Sequence, residues 1–480
     1  MSEPAERGRS SDLFGRGMIY VLVWSMQMVV ATVVSPVLTR VLPKDQFGGL
    51  AAAIALYQLL ITVALFGLDN AVEMQRVEDS DPSRSRGLVA AGMIMAFGVV
   101  GLCAITSPLW SSALGFPSST GLVLITLGWT APGAGVMLSL SLLQAEDRLA
   151  RFATVSLVST VGSQLLGIGL LFLVERTALV YAWGGVIGNT VSLLLGIVWT
   201  RPRPGGLTDR ATIAAGLRLG VPLMLAGVAQ FVLSAGDRFV VQRMLGPEQV
   251  ARYQVAYTVG NVLSLMLAFT TRAWLPRLKS ITSSEQRWEV IAASRDGVYW
   301  LVGWALIGIT VSAPVLLRVF APASYDPASL VAVVLVVGLA ALPVAASGAT
   351  SQVLVTTRQS RPIAIGAAVA AVVKIVLTIA VIGRFGLVGT AAATTVAIAA
   401  QAWVQRVAVQ RALGFRRSSA TSLGFVALAC LVSTASLELP QQGFWLAARF
   451  GFSCLCLAPF FLALRGLQRG TGPLPLLRHP

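Results

Sequence analysis

The sequence predicts an all-α polytopic membrane protein with about 14 transmembrane helices. Three observations predict this fold: the composition, the spacing of long apolar stretches, and the distribution of basic residues between them. Of the 480 residues, 56% are apolar and only 12% are charged, about half the charged share that is usual in a soluble domain. The mean hydropathy is +0.78. This composition excludes a disordered chain and a nucleic-acid-binding protein, although the net charge is +16 and the isoelectric point is about 10.9.

The apolar stretches have the length of membrane-spanning helices, which need roughly 20 residues to cross about 30 Å of hydrocarbon. Fourteen such stretches lie at approximately 18–38, 50–69, 87–109, 121–144, 153–174, 179–200, 219–241, 253–271, 297–317, 328–356, 362–383, 387–405, 418–437 and 444–464. The first stretch follows a polar segment over 1–17. It is too long, and is followed by too many further spans, to be a cleaved signal peptide.

The connections between these stretches carry their basic residues mainly on alternate sides. If the N-terminus is cytoplasmic, the cytoplasmic segments hold 26 of the 36 Lys and Arg residues, and the opposite side holds 7. This bias is what the positive-inside rule requires. The sequence therefore predicts that both termini are cytoplasmic, and topology explains most of the positive charge without a polyanionic partner.

The residues that enzymes and metal sites need are scarce in this sequence. The single His is His479, none of the three Lys residues follows a Gly as a Walker A loop requires, and the four Cys residues lie inside apolar runs. Each connection is shorter than about 25 residues, which is too short for a separate catalytic domain. We therefore expect no enzymatic activity, no cofactor and no metal.

Two parts of the sequence share an ungapped motif. Residues 40–46 (RVLPKDQ) follow the first span, and residues 243–249 (RMLGPEQ) follow the seventh, at an offset of 203. Six spans separate the copies, so both have the same orientation. Parallel repeats of this kind are a transporter architecture in which the substrate site lies between the halves.

Polar residues inside the spans are the candidate functional residues, because a charge at mid-membrane costs at least roughly 2.5–3.5 kcal/mol. In the seventh span, Gln230, Ser234, Asp237 and Arg238 fall within about 100° on one helix face. Either this face lines a cavity, or Asp237 and Arg238 reach the external interface and pair with loop charges. Lys374 lies near the middle of the eleventh span, where it is either an anion contact or the partner of a carboxylate.

Two further patterns concern helix packing and the membrane interface. Gly184 and Gly188, and the glycines over 383–389, predict close contact between helices. Arg449 lies five residues into the last predicted span, and we expect its side chain to extend to the interface.

Two longer segments resemble a known family. Residues 38–60 (LTRVLPKDQFGGLAAAIALYQLL), followed by Phe-Gly-Leu at 66–68, resemble the N-terminal signature of the polysaccharide transporter family, the oligosaccharide flippases of the multidrug/oligosaccharidyl-lipid/polysaccharide (MOP) superfamily. Residues 216–263 resemble its second-half signature. The elements of that signature are Gly-x-Pro at 220–222, Asp237-Arg238, Leu-Gly-Pro at 245–247 and Tyr253-x-x-Ala256-Tyr257.

The resemblance implies two pseudo-symmetric six-helix lobes around a central cavity, with two additional C-terminal helices. The predicted parts are a cytoplasmic N-terminal segment over 1–17, an N-lobe over 18–200, a cytoplasmic linker over 201–218, a C-lobe over 219–410, and spans 13 and 14 with a cytoplasmic tail over 411–480.

The activity that the resemblance implies is a flippase in a bacterial inner membrane. It would move a polyprenyl-diphosphate-linked oligosaccharide from the inner to the outer leaflet by alternating access, for exopolysaccharide, capsule or O-antigen synthesis. The expected substrate-binding residues are Arg238, Lys374 and Arg272 near the diphosphate with Asp237 in the same set, and Gln27, Gln230, Asn261 and Gln352 near the sugar hydroxyls. Some relatives carry a charge where this chain has a Gln at position 27.

The expected partners are the lipid-linked substrate, membrane lipids, a polysaccharide polymerase and a chain-length regulator. We expect a monomer that binds no nucleic acid.

Two other transporter functions stay open. A peptidoglycan lipid-precursor flippase of the same superfamily also has fourteen spans. A cation-coupled multidrug exporter usually has twelve spans and membrane-embedded carboxylates, for which Asp237 is the candidate here. A membrane glycosyltransferase or ligase is disfavoured, because such proteins typically present large external loops.

Overall fold

A computed structural model describes residues 26, 29–30, 32–79, 81–116, 120–267, 281, 283–413 and 418–469, and every regular element over these residues is helical. The α-helices are α1 (Thr32–Val41), α2 (Lys44–Ala64), α3 (Leu68–Glu78), α4 (Pro82–Trp110), α5 (Thr120–Ala145), α6 (Leu149–Leu157), α7 (Ser163–Leu173), α8 (Ala178–Thr200), α9 (Arg210–Ala235), α10 (Asp237–Leu245), α11 (Pro247–Gly260), α12 (described over 262–267), α13 (Ser284–Phe320), α14 (Val331–Leu339), α15 (Ala341–Thr356), α16 (Arg361–Leu413), α17 (Ala420–Ala435) and α18 (Phe444–Arg469). A π-helical turn over Val158–Gly162 joins α6 to α7. Short 3₁₀ turns lie at Pro204–Thr208, Ala323–Tyr325, Pro327–Leu330 and Ser436–Glu438.

The helices confirm the predicted all-α polytopic fold. Eleven helical stretches in the described part of the chain are long and apolar enough to cross a membrane. Ten of them coincide with one predicted span each, and the eleventh, α16, contains both 362–383 and 387–405. The first and eighth predicted spans extend beyond the described residues at one end.

The surface of the helices is apolar where a lipid-facing surface must be. The side chains of Ile105, Leu109 and Leu173 are each more than 80% exposed. Large apolar side chains are costly to expose to water, so these helices are suited to a hydrocarbon surrounding rather than to water.

The chain forms two compact units, Met1–Phe231 with Gly246–Glu248, and Val232–Leu245 with Gln249–Pro480. In the first unit, α5 packs against α2, α3, α4 and α8, and α7 packs against α8. A Cβ atom added at Gly184 would overlap the backbone of Gly167. This contact confirms the close helix packing predicted from the glycines of α8.

The start of α3 lies directly against α9 in the same unit. Gly67 has a φ of 70°, in the left-handed region that favours glycine. A Cβ atom at Gly67 would overlap the backbone of Gly220, and one at Gly220 would overlap the carbonyl oxygen of Phe66. The two glycines, one in each signature segment, therefore allow the backbones of two helices to touch.

In the second unit, α13 packs against four other helices, α14, α15, α17 and α18. The helix α16 packs against α10, α14 and α15. The ring of Trp300 stacks on that of Phe425 with centroids 4.1 Å apart, and Asp296 accepts a hydrogen bond from the backbone N–H of Ser419 at 3.1 Å. The two C-terminal helices are thus packed against a core helix of this unit.

The side chain of Arg449 reaches the connection between α17 and α18, and its position at the membrane interface stays a prediction. Its side chain is 2% exposed and donates to the carbonyl oxygens of Ser436 and Leu439, each at 2.6 Å. Carbonyl groups at the end of a helix lack intrahelical partners, and these two provide an internal acceptor for the guanidinium.

The glycines over 383–389 differ in their packing. Within the described part of the chain, a Cβ atom added at Gly383 or Gly386 would meet no atom within 4 Å, whereas one at Gly389 would overlap the side chain of Phe385. Gly386 has a φ of 53° and a ψ of −134°, which separates the two membrane-spanning arms of α16. The function of this glycine is conformational, because few other residues adopt such a backbone.

Candidate functional site

The seventh predicted span is interrupted in the second unit, and the interruption positions the polar residues. The helix α9 ends at Ala235, Gly236 forms a turn, and α10 begins at Asp237. The last carbonyl groups of a helix carry partial negative charge and attract cations. Here Lys374 donates to the carbonyl oxygen of Leu233 at 2.6 Å, and Arg238 donates to that of Ser234 at 3.0 Å.

The carboxylate of Asp237 is the centre of the site. Its Oδ2 atom lies 3.1 Å from Lys374 Nζ and accepts a hydrogen bond from the Tyr253 hydroxyl at 2.8 Å. The same oxygen is 3.5 Å from Thr394 Oγ1, and Oδ1 is 3.3 Å from Arg238 Nη1. Both carboxylate oxygens therefore have charged or hydrogen-bonding partners, as a buried carboxylate requires.

The guanidinium of Arg238 is held by α11. Its Nε atom donates to Gln254 Oε1 at 2.8 Å, and its Cζ atom lies 4.7 Å from the centre of the Tyr257 ring. Tyr253 and Tyr257 are four residues apart, so they lie on one face of α11. One face of this helix thus supports both Asp237 and Arg238.

Both arms of α16 contribute to the same carboxylate. Lys374 precedes the bend at Gly386 and Thr394 follows it. Thr378 lies one turn after Lys374, is 1% exposed, and its hydroxyl has no hydrogen-bond partner in the structure. The bend therefore brings residues from two membrane-spanning arms to one side chain.

The site is buried and carries an unbalanced charge. The exposed fractions of Asp237, Lys374 and Arg238 are 1%, 1% and 7%. One carboxylate with two cations leaves a net charge of +1. Charged side chains are tolerated in a low-dielectric interior only when they are paired and hydrogen-bonded. If the carboxylate moved away, the two cations would present their N–H groups to another anion.

The structure brings together Asp237, Arg238 and Lys374. The sequence left two roles open for Lys374, and the structure shows the contact with a carboxylate. Asp237 and Arg238 pair with each other and with groups inside the second unit rather than with loop charges.

The other predicted residues lie elsewhere. Gln230 is exposed on α9 within the first unit. Asn261 follows α11, and Gln352 lies on α15 with a buried Oε1 atom that lacks a hydrogen-bond partner; neither belongs to the network around Asp237. Gln27 and Arg272 lie outside the described residues, so their roles stay predictions.

Three members of the network were not predicted as site residues: Tyr253, Gln254 and Thr394. Tyr253 belongs to the Tyr-x-x-Ala-Tyr motif, so the spacing of the two tyrosines was an available signal. Thr394 is one hydroxyl among many in an apolar span, and only the fold places it beside Asp237.

Comparison with known proteins gives a family and a fold. A family model described as "Polysaccharide biosynthesis protein" matches residues 14–282, more than half of the chain. No curated protein sequence matches the chain at a significant level.

Three solved structures illustrate the fold. The lipid II flippase MurJ in an inward closed conformation is 13% identical with a TM-score of 0.71, and the match covers 92% of this chain and 98% of that one. An inward-facing MATE-family multidrug resistance transporter of the MOP superfamily is 14% identical with a TM-score of 0.56, over 80% and 95% of the chains. A Vibrio cholerae MATE transporter is 14% identical with a TM-score of 0.50, over 84% and 98%. At such identities the likeness shows a common transporter fold.

Proposed function

Because the chain belongs to the polysaccharide biosynthesis protein family, we propose that it is a flippase for a polyprenyl-diphosphate-linked oligosaccharide. It moves this lipid from the inner to the outer leaflet of a bacterial inner membrane, where exopolysaccharide, capsule or O-antigen is assembled. The family match over residues 14–282 is the observation that carries the proposal. The fold shared with a flippase and with MATE transporters supports a transporter of the MOP superfamily.

The proposed mechanism is alternating access between an N-lobe over 18–200 and a C-lobe over 219–410. The segment over 201–218 links the lobes on the cytoplasmic side, and spans 13 and 14 with the tail complete the chain over 411–480. The distribution of Lys and Arg supports cytoplasmic termini. The protein acts as a monomer. The flipped lipid-linked oligosaccharide is then used by a polysaccharide polymerase with its chain-length regulator.

The network around Asp237 is the proposed diphosphate site. In the structure Asp237 neutralises one of the two positive charges of Arg238 and Lys374. A diphosphate replaces the carboxylate as the counter-ion when the substrate enters, and the planar guanidinium of Arg238 suits two phosphate oxygens. Arg272 is a third proposed diphosphate contact.

The proposed contacts with the sugar are amide side chains. Gln27, Gln230, Asn261 and Gln352 can each donate and accept hydrogen bonds, which matches the hydroxyl groups of an oligosaccharide. Among the described residues, the buried Oε1 atom of Gln352 has no hydrogen-bond partner, which supports a polar ligand for this residue.

The test is a flipping assay with the purified chain in liposomes. The substrate is a fluorescent polyprenyl-diphosphate-linked oligosaccharide, and lipid II is measured in parallel. We expect the protein to flip the oligosaccharide lipid at a rate well above that of empty liposomes. The flipping rate of lipid II should equal that of empty liposomes. Transport of lipid II alone would establish the peptidoglycan-precursor alternative, and transport of neither by a monodisperse protein would overturn the flippase proposal.

The site is tested separately from the activity. Arg238→Ala and Lys374→Ala should each lower the flipping rate at least about tenfold, the equivalent of about 1.4 kcal/mol. Arg243→Ala is the matched control, because Arg243 is an exposed residue of α10 outside the network. Normal rates for both site variants would remove these residues from the substrate site and leave the family-based proposal standing.

A further inference from the structure

One carboxylate gathers three guanidinium groups in the first unit. Glu146 follows the last residue of α5, and its Oε2 atom lies 2.8 Å from Arg148 Nε. Its Oε1 atom lies 3.5 Å from Arg86 Nη2 and 3.7 Å from Arg76 Nε. We call these four residues the Glu146 cluster.

Backbone contacts fix the arginines of the Glu146 cluster. Arg148 also donates to the carbonyl oxygen of Trp199 near the end of α8, at 3.2 Å. Arg76 donates to that of Asp79 after α3, at 3.3 Å. The guanidinium groups of Arg148 and Arg76 are thus oriented before any ligand arrives, which lowers the entropic cost of binding.

The Glu146 cluster has more positive charge and more donors than its own acceptors satisfy. Three guanidiniums against one carboxylate leave a net charge of +2. Each guanidinium has five N–H donors, and within the described residues the buried Nε atoms of Arg76 and Arg86 have no hydrogen-bond partner. Glu146 Oε2 likewise contacts Arg148 only as an ion pair, without a hydrogen bond. A further anion or water would satisfy donors that the cluster leaves unpaired.

The carboxylate of the Glu146 cluster is more deeply buried than its three guanidinium groups. The side chain of Glu146 is 4% exposed, whereas those of Arg86, Arg76 and Arg148 are 19%, 27% and 34% exposed. The carboxylate therefore lies beneath the three guanidiniums, which remain accessible to a ligand. The three guanidiniums are thus more exposed than the carboxylate that holds them together.

The position of the Glu146 cluster in the fold indicates which kind of anion it binds. The Glu146 cluster lies where α4 and α6 begin and where α5 and α8 end, and the topology predicted from the basic residues assigns these helix ends to the cytoplasmic membrane surface. Guanidinium forks match phosphate oxygens, and the basic side of a membrane protein faces the anionic inner leaflet.

We propose that Arg76, Arg86 and Arg148 form a binding site for the phosphate group of an anionic phospholipid of the inner leaflet. The site is distinct from the network around Asp237 and does not depend on the flippase activity. The lipid neutralises the surplus charge and joins the ends of α3, α4, α5 and α8 at the membrane surface. It therefore stabilises the first unit and stays bound through purification.

The test uses the full chain in a neutral detergent. Phosphatidylglycerol, phosphatidylcholine and inorganic phosphate are titrated separately, and bound lipid is counted by native mass spectrometry while the thermal midpoint is recorded. We expect phosphatidylglycerol to bind and to raise the midpoint, and the other two to have little effect. Arg86→Gln and Arg148→Gln should each weaken phosphatidylglycerol binding about tenfold.

The matched control is Arg84→Gln, which removes one charge from the same end of α4 but lies 60% exposed and paired with Asp79. It should bind phosphatidylglycerol like the wild type. Equal binding of phosphatidylcholine, protection by inorganic phosphate alone, or unchanged affinity in both test variants would overturn the proposal. If the Gln variants do not fold, Arg86→Lys, which keeps the charge and loses the fork, must bind phosphatidylglycerol more weakly than Arg84→Lys, and equal affinities would also overturn it.

Discussion

Lys374 Nζ lies 3.1 Å from Asp237 Oδ2 in the interior of the second unit, and it also donates to the carbonyl oxygen of Leu233. The ammonium therefore binds both a side chain and the backbone at the interruption between α9 and α10. Burial removes the water that would otherwise solvate the ammonium and the carboxylate. Each group therefore depends on the other as its counter-ion.

Removal of both charges should destabilise the protein by less than the sum of the two single removals. Asp237→Asn leaves two buried cations without their carboxylate, and we expect a loss of about 3–5 kcal/mol in the free energy of unfolding. Lys374→Met should cost less, because Asp237 keeps Arg238 and Tyr253 as partners. The double variant Asp237→Asn/Lys374→Met should lose less than the sum of the two. A double-mutant cycle of unfolding in detergent checks this, and strictly additive losses would contradict it.

The hydroxyl of Tyr253 should matter more than that of Tyr257. Tyr253 donates to the Asp237 carboxylate, and a hydrogen bond to a charged group contributes about 1.5–3 kcal/mol. Tyr253→Phe should lower stability by that amount. Tyr257→Phe keeps the ring face that contacts Arg238 and serves as the control; an equal loss in both variants would argue against the assigned hydrogen bond.

The contact between Gly67 and Gly220 should not tolerate a methyl group. A Cβ atom at position 220 overlaps the Phe66 carbonyl, and overpacking typically costs about 1–3 kcal/mol. Gly220→Ala should lower the thermal midpoint. Gly98→Ala is the control in α4, because its added Cβ meets nothing within 4 Å, and its midpoint should not fall.

The start of α9 should depend on pH through Asp209. The side chain and the backbone N–H of Thr212 donate to Asp209 and hold the pKa of its carboxyl below the usual value. Since the folded pKa is depressed, the stabilisation is complete above the unfolded pKa and is lost as the pH falls through the folded pKa.

Hydrogen exchange of the first amides of α9 measures this effect. Asp209→Ala should speed their exchange near neutral pH, and the difference from the wild type should vanish in acid. The amides after Asp81, which caps α4, are the internal control and should not change. Faster exchange in the variant at every pH would exclude the carboxylate as the cause.

Flipping should respond to voltage. Outward transfer of an anionic lipid across an inside-negative membrane is favoured by about 2.3 kcal/mol per charge per 100 mV. Proteoliposomes with an imposed potassium diffusion potential should therefore flip faster when the donor side is negative. A flipping rate that changes with neither the membrane potential nor a gradient of Na⁺ or H⁺ would rule out the membrane potential as the driving force.

Periodicity and composition predict the spans well, because each must satisfy the same requirement for length and apolar surface. The connection between spans 11 and 12 is an example. The predicted spans end at residue 383 and begin again at residue 387, and the non-helical backbone of Gly386 separates the two helical arms within Arg361–Leu413 at this place.

The candidate site was predictable only where a charge is conspicuous in an apolar span. Asp237, Arg238 and Lys374 stand out for this reason, and the structure brings them together. Thr394 does not, since hydroxyl groups are common in transmembrane helices and usually bond to their own backbone. Likewise, the sequence does not show that the acceptors of Arg449 are the carbonyl groups of Ser436 and Leu439.

The two arms of α16 both contact the carboxylate of Asp237. Lys374 on one arm and Thr394 on the other both reach Asp237 Oδ2, so the two arms and this oxygen form a closed triangle with Gly386 at its apex. The two arms are separated by the non-helical backbone of Gly386, so they share this acceptor although they are different helices. A displacement of the Asp237 carboxylate would therefore change a contact of both arms at once.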